Sequence, residues 1–204
     1  PVVASEKFLI PLLTLSLQPK KRKYKMMNDE TDDLWGDSLH EECGVFGVYG
    51  ALDASARTAL GLHALQHRGQ EAAGIVSFDG EQFYSHRALG LVGDNFNSAE
   101  TINKLKGNMA IGHNRYSTTG DTLLRNVQPL YGDFSFGGLA VAHNGNLTNA
   151  MTLRKQLIDI GCLFQSTSDT EVIVHLIALS KQSSVEDRLF DALQRVEGAY
   201  SLVV

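Results

Sequence analysis

The chain has little cysteine, little proline and no long apolar run. Its 204 residues include 2 cysteines, 4 prolines and 1 tryptophan. Two cysteines cannot build a disulfide framework, which favours a reducing compartment, and we expect the cytoplasm. No apolar run reaches the ~18 residues of a membrane span, so we expect no membrane association. A net charge of −5 argues against a nucleic-acid-binding surface, which normally carries a basic excess.

What remains is the composition of an ordinary globular protein. Hydrophobic residues make up 43% of the chain, and there are 19 glycines. This composition is typical of a packed, turn-rich protein, and the length suits one domain.

The first 42 residues differ from the rest. They contain three of the four prolines, and an apolar stretch over 8–17 precedes a basic run over 20–25. A secretory signal has these two features in the reverse order. We interpret residues 1–42 as a leader, a propeptide or upstream sequence, and expect it to be disordered. A nuclear or phosphate-binding patch is the alternative interpretation of the basic run.

From residue 43 onward, strand and helix patterns follow one another. Strands are predicted over 43–49, 74–78, 82–86, 109–116 and 138–143, and helices over 54–67, 149–160 and 185–196. A further helix is predicted to open at Ser168 with a capping box to Glu171. Ile160 and Leu179 are expected on the apolar faces of their helices. Strands followed by helices predict an α+β layered architecture.

Polar residues concentrate where the predicted strands end, which is where scaffolds carry binding and catalytic groups. Each polar segment alone is weak evidence, because such a segment is usually a turn or a salt bridge. Cys43 is either a small buried hydrophobe or a thiol nucleophile. Cys162 is expected to be a buried structural thiol. A histidine that acts as the base for a thiol nucleophile is therefore an alternative that stays open. The candidates are His63, His67, His113, His143 and His175.

In combination, these segments resemble the glutaminase half of the amidophosphoribosyltransferase family. The resemblance runs from about Leu39 to the end of the chain, and five motifs occur in one order. They are the segments 42–47, 65–74, 112–118, 143–147 and 168–171. The resemblance implies an N-terminal-nucleophile hydrolase fold: two stacked, mostly antiparallel sheets between helical layers. The glutaminase domain would cover residues 43–204 and be truncated at its C-terminal end.

Related glutaminases fit the sequence less well. Glucosamine-6-phosphate synthase and asparagine synthetase have different residues after the Arg68-Gly69 pair. The alternatives that stay open are the glutaminase domain of another class II amidotransferase and an inactive glutaminase-fold binding module. The sequence departs from the family at Asn114, where valine is usual, and we expect the Asn114 side chain to face solvent.

The resemblance implies three catalytic residues. Cys43 would be the nucleophile, and its own α-amino group would be the base once residues 1–42 are removed. The side chain of Asn144 and the main-chain N–H of Gly145 would stabilise the oxyanion. His113 and His143 are assigned to structure.

Five further residues would bind or surround glutamine. Arg115 would bind the α-carboxylate, because its planar fork can contact both oxygens. Asp169 would bind the α-ammonium group. Arg68 would position the loop near the cysteine, and Tyr116 and Thr118 would shape the pocket.

The resemblance also implies partners beyond glutamine. Released ammonia would serve 5-phosphoribosylamine formation in the first committed step of purine synthesis, in a phosphoribosyltransferase domain that residues 43–204 lack. That domain would bind phosphoribosyl pyrophosphate with Mg²⁺, and propeptide-bearing members often hold a [4Fe–4S] cluster. No cofactor or metal is expected within this chain. The full-length protein would be a homo-oligomer.

Overall fold

The structure, a computed structural model, describes residues 43–116 and 123–204 and the main chain of residues 14–17. Eight strands are present in these ranges: β1 Thr14–Leu17, β2 Gly44–Tyr49, β3 Ala72–Phe78, β4 Phe83–Leu89, β5 Met109–Arg115, β6 Leu130–Phe134, β7 Gly137–Leu147 and β8 Gly198–Val203. Six α-helices accompany them: α1 Ala54–Ala64, α2 Val92–Asn95, α3 Ala99–Lys104, α4 Ala150–Asp159, α5 Thr170–Leu179 and α6 Val185–Leu193.

The strands form two four-stranded antiparallel sheets. One sheet has the order β1-β8-β7-β6, and the other has the order β2-β5-β3-β4. Strand β1 lies within the predicted leader and pairs with β8 at the edge of its sheet. The central strands β7 and β5 each pair with a strand on both sides.

Three apolar clusters define the layers. One cluster lies between α4–α6 and the first sheet, with Leu157, Ile173, Leu189 and Leu202 at its centre. A second lies between α1–α3 and the other sheet. A small third cluster, which includes Val76, Ile111, Ala142 and Val203, joins strands of the two sheets. The order of layers is therefore helices, sheet, sheet, helices, and the α+β prediction is confirmed.

Two polar side chains fix the local structure at the ends of elements. Ser184 caps α6, because its hydroxyl accepts a hydrogen bond from the main-chain N–H of Asp187. The turn at Asp79 joins β3 and β4, and its carboxylate accepts hydrogen bonds from the N–H groups of Glu81 and Gln82. These bonds stabilise a loop over residues 79–82, one residue longer than the interval between the predicted strands 74–78 and 82–86.

Several helix predictions are wrong in detail. Helix α1 ends at Ala64 and is followed by a 3₁₀ turn over Gln66–Arg68. Ser168 does not open α5, because Asp169 occupies the N-cap position and the Glu171 carboxylate accepts hydrogen bonds from the preceding loop. Ile160 and Leu179 are 67% and 44% exposed, so neither contributes to the core.

The strand pattern also differs in two respects. Strand β7 continues to Leu147, well beyond its predicted end at His143, because β8 pairs with it along residues 142–147. Strand β6 and the short helices α2 and α3 were not predicted. Within the described ranges, no helix has the length and apolarity to cross a membrane.

Candidate active site

Three predicted site residues lie on strand faces that point into the space between the two sheets. Side chains alternate along a strand, so residues two apart share a face. Cys43 lies two residues before Val45, which packs against the apolar cluster between the sheets. By the same period, Arg115 shares the face of Ile111, and Asn144 shares the face of Ala142. Since β2 and β5 both pack against β7, these three faces meet.

Cys43 is held at the start of β2 by two neighbouring segments. Its thiol donates to the main-chain oxygen of Tyr116 at 3.5 Å, and the N–H of Tyr116 donates to Sγ at 3.5 Å. Nε of Arg68 donates to the carbonyl oxygen of Cys43 at 3.1 Å. The structure therefore brings Arg68 and Tyr116 to Cys43. Tyr116 contacts Cys43 through its main chain, and the residue as a whole is 43% exposed.

Arg115 is the last residue of β5 and is partly buried. Among residues 43–116 and 123–204, no carboxylate forms a salt bridge with it, and its buried Nε has no hydrogen-bond partner there. A partly buried guanidinium without an acidic partner favours an anionic ligand.

Asn144 and Gly145 lie within β7 and not in a loop at its end, so this part of the strand prediction is wrong. They pair with Ser201 and Tyr200 of β8. Gly145 has φ +149°, and a Cβ there would lie 2.3 Å from the Ala199 carbonyl oxygen, so only glycine fits. The buried Oδ1 of Asn144 has no hydrogen-bond partner within the described part of the chain.

Asp169 lies on the helix side of β7, at the start of α5. Its Oδ2 accepts a hydrogen bond from the Leu147 N–H at 3.1 Å, and Oδ1 lies 3.4 Å from Nδ1 of His143. Burial raises the pKa of Asp169, but the His143 imidazole and the Leu147 N–H outweigh it and hold that pKa below its ordinary value. The carboxylate therefore stays ionised, as a partner for an ammonium group requires.

The expectation that Asn114 faces solvent is wrong. Its side chain is fully buried against α1, and Nδ2 donates to the main-chain oxygens of Leu65 at 2.8 Å and Leu62 at 3.4 Å. Leu62 lies in the last turn of α1, and Leu65 directly follows the helix, where its carbonyl oxygen also accepts a hydrogen bond from the Arg68 N–H. Asn114 pairs in register with Gly44, so this contact fixes the strand beside Cys43.

Two buried amides, Asn126 and Gln128, were missed. Asn126 exchanges hydrogen bonds with Thr167, and Gln128 exchanges them with the main chain of His143. The sequence feature that could have indicated them is a pair of amide residues on either side of Val127, directly before β6.

The remaining predicted residues take other positions. Thr118 lies outside the described residues. His63 and His67 are exposed, and His175 interacts with the Leu163 carbonyl oxygen on the far helical layer. Cys162 is only partly buried, packs against the core beside α4, and has a pKa raised by burial.

Comparison with known proteins places this arrangement in a family. The family model described as a glutamine amidotransferase domain matches residues 113–204. The chain is 61% identical to the amidophosphoribosyltransferase of Rhizobium etli, over 85% of this chain and 35% of that protein. It is 50% identical to the amidophosphoribosyltransferase of Lacticaseibacillus casei, over 81% of this chain and 86% of that sequence.

A solved structure agrees with the sequence comparison. The glutamine phosphoribosylpyrophosphate amidotransferase from Bacillus subtilis, complexed with ADP and GMP, superimposes with a TM-score of 0.72 at 45% identity, over 78% of this chain and 34% of that one. The chain thus spans about a third of the Rhizobium etli and Bacillus subtilis proteins. It belongs to the amidophosphoribosyltransferase family and carries the glutamine amidotransferase domain, with the N-terminal-nucleophile hydrolase fold that the sequence predicted.

Proposed function

We propose that this domain hydrolyses glutamine to glutamate and ammonia, with the thiol of Cys43 as the nucleophile. The observation that carries the proposal is the shared face of Cys43, Arg115 and Asn144 between the two sheets, with Asp169 held ionised beside the N–H of Leu147 at the end of β7. This combination offers a nucleophile, a cation, an amide donor and an anion, which are the groups that free glutamine requires.

The thiol needs a base, and the α-amino group of Cys43 itself suits this role. An α-amine titrates near pH ~8, close enough to neutrality to exchange a proton with a thiol. In the sequence, Glu42 precedes Cys43, and an amide nitrogen is not a base. We therefore infer that residues 1–42 must be removed before the site is active.

The reaction has two steps. The thiolate attacks the side-chain amide carbon of glutamine and forms a tetrahedral intermediate. The protonated α-amine of Cys43 gives a proton to the leaving nitrogen, the C–N bond breaks, and ammonia departs from the intermediate to leave a thioester. Water then hydrolyses the thioester to glutamate and restores the thiol. The negative charge on the tetrahedral oxygen would be held by the Asn144 amide and the Gly145 N–H; loss of one such donor costs about 10²–10³ in rate. Arg115 would bind the α-carboxylate and Asp169 the α-ammonium, while Arg68 positions Cys43 through its carbonyl oxygen.

The ammonia-consuming half belongs to a longer protein. We propose that the whole protein transfers ammonia to phosphoribosyl pyrophosphate, works as a homo-oligomer, and functions in the cytoplasm. Mg²⁺ and a [4Fe–4S] cluster would belong to that part, because two cysteines cannot ligate a four-cysteine cluster. Residues 43–116 and 123–204 contain no group of three potential metal ligands either.

The proposal is tested on the full-length protein expressed in cells. Intact-mass analysis should find a chain that begins at Cys43, and that chain should release glutamate from glutamine. Cys43→Ala should abolish release, while Cys162→Ala, the matched control on the other cysteine, should leave it unchanged. Full activity of a chain that retains residues 1–42 would contradict the α-amine mechanism. A correctly processed chain without activity would favour the binding-module alternative.

A further inference from the structure

Gln128 lies just before β6 with only 4% of its surface exposed, and its side-chain amide is bound to the main chain of His143. The Gln128 Oε1 accepts from the His143 N–H at 2.7 Å, and Nε2 donates to the His143 carbonyl oxygen at 3.0 Å. A main-chain N–H only donates and a carbonyl only accepts. These two bonds therefore fix which end of the amide is which.

The Gln128 amide takes the place of a main-chain pair in the sheet. Strand β6 pairs with β7 from Leu130, which lies opposite Val141. Continued by two residues, the same register places Gln128 opposite His143. Pairing of the main chains stops at Leu130, and the side-chain amide of Gln128 continues it.

This contact takes both main-chain hydrogen bonds of His143. Leu202 of β8 lies opposite His143 in register on the other edge of β7, but the N–H and C=O of one residue face the same edge of an antiparallel strand, which here is the Gln128 edge. The residue that follows is Asn144, the proposed oxyanion donor. The angle at which the Asn144 side chain enters the space between the sheets therefore depends on the Gln128 amide.

The second hydrogen on Nε2 of Gln128 points to the other sheet. Nε2 of His113 on β5 lies 3.4 Å away. His113 is fully buried, and burial, followed by the nearby His143 and Arg115, lowers its pKa to about 3. The imidazole is thus neutral and can accept a hydrogen bond. His113 shares its strand face with Arg115, two residues further on.

The main chain of Gln128 is packed as closely as its side chain. A Cβ at Gly74 would lie 2.2 Å from the Gln128 carbonyl oxygen, so glycine is required where β3 passes this residue. Gly74 itself pairs with His113 in the sheet. The position of Gln128 is therefore set by β3, β5 and β7 together.

We propose that Gln128 is a positioning residue of the glutaminase site, which fixes Asn144 on one sheet relative to Arg115 on the other. This inference rests on the proposed function. Gln128 acts through the main chain of His143 and the imidazole of His113, and it has no role in the chemistry itself. Its loss should disturb the oxyanion donor most, because Asn144 directly follows the residue that Gln128 holds.

The test is Gln128→Leu in the full-length, processed protein. This variant keeps the bulk of the side chain and removes all its hydrogen bonds. We expect kcat for glutamine hydrolysis to fall about 10-fold to 100-fold, with KM changed less than threefold, as for a small displacement of a catalytic group. The matched control is Asn149→Leu, because Asn149 also donates to one main-chain oxygen, of Arg195, and accepts from one N–H, of Glu197. The control should keep its kcat within twofold.

A second variant, Gln128→Glu, decides the matter if Gln128→Leu does not fold. An ionised Glu can accept from the His143 N–H but cannot donate to the His143 oxygen, and protonation restores one donor. The kcat of Gln128→Glu relative to the parent should therefore rise as the pH falls from about 8 to about 6. The positioning role is overturned if the ratio of the Gln128→Glu kcat to the parent kcat stays constant over this pH range. It is also overturned if the Gln128→Leu kcat lies within twofold of the parent. A processed parent that releases no glutamate overturns the proposed function as well.

Discussion

The side-chain amide of Asn114 donates a 2.8 Å hydrogen bond to the carbonyl oxygen of Leu65 and so joins β5 to the end of α1. The neighbouring Gly44 lies so close that a Cβ on it would be 2.2 Å from Oδ1 of Asn114. Helix α1, β5 and the start of β2 are therefore held together directly beside the proposed nucleophile.

Asn114→Asp should destabilise the protein, because it turns a donor into a carboxylate that faces two carbonyl oxygens. The expected loss is about 2–4 kcal/mol in the free energy of unfolding at pH 8, as for a buried charged group without a partner. The buried carboxyl group should take up a proton more readily than in the unfolded chain. Its destabilisation should therefore be smaller at pH 5, which urea unfolding at the two pH values would measure. Equal losses at both pH values would contradict the buried position of residue 114.

His113 predicts a second pH dependence, of opposite sense. The unfolded imidazole binds a proton near its ordinary pKa of 6.5, whereas the folded one does so only near 3. The unfolded state thus binds more protons between these values, so stability is complete above pH 6.5 and is lost as the pH falls. From pH 7 to pH 5 the loss from this group is about 2 kcal/mol. His113→Asn should flatten the fall in unfolding free energy over that range. An unchanged slope would show that another group causes it.

Much of the fold follows from the sequence, and the failures have physical causes. Strand β2, the β3–β4 hairpin and β5 have clear apolar and turn signals. The end of β7 was mispredicted because Asn144-Gly145-Asn146 has the composition of a turn, yet β8 pairs with it. The burial of Asn114 could not be predicted, since it depends on the carbonyl groups of a distant helix. Both the end of β7 and the burial of Asn114 are decided by contacts between residues far apart in the sequence.

The types of residue in the site could be predicted from the sequence, but the residues that hold them in position could not. Cys43, Arg115 and Asn144 stand out as polar or reactive residues at the borders of apolar strands. Gln128 does not, because its partners lie 15 residues away on each side in sequence. Its importance appears only when the register of β6 and β7 is known.

Arg115→Lys tests recognition of the α-carboxylate. Lysine keeps the charge but loses the two-pronged geometry, so binding of glutamine should weaken by about 1–3 kcal/mol, seen as a higher KM. Synthesis from added ammonia by the full-length protein should survive, because that route bypasses the glutamine site. Equal loss of both activities would identify Arg115 as a residue needed for folding.

Asn144 and Asp169 should separate in steady-state kinetics. Asn144 would donate to a charge that exists fully only in the transition state, so Asn144→Ala should lower kcat about 10²–10³-fold with little change in KM. Asp169 would bind the ammonium group in the ground state and the transition state alike, so Asp169→Ala should chiefly raise KM. Because Asp169 also accepts a hydrogen bond from the Leu147 N–H and lies 3.4 Å from Nδ1 of His143, Asp169→Asn is the control that keeps the shape of the side chain without its charge. If Asn144→Ala raised KM and left kcat intact, Asn144 would be a ground-state contact, and the oxyanion would depend on the Gly145 N–H.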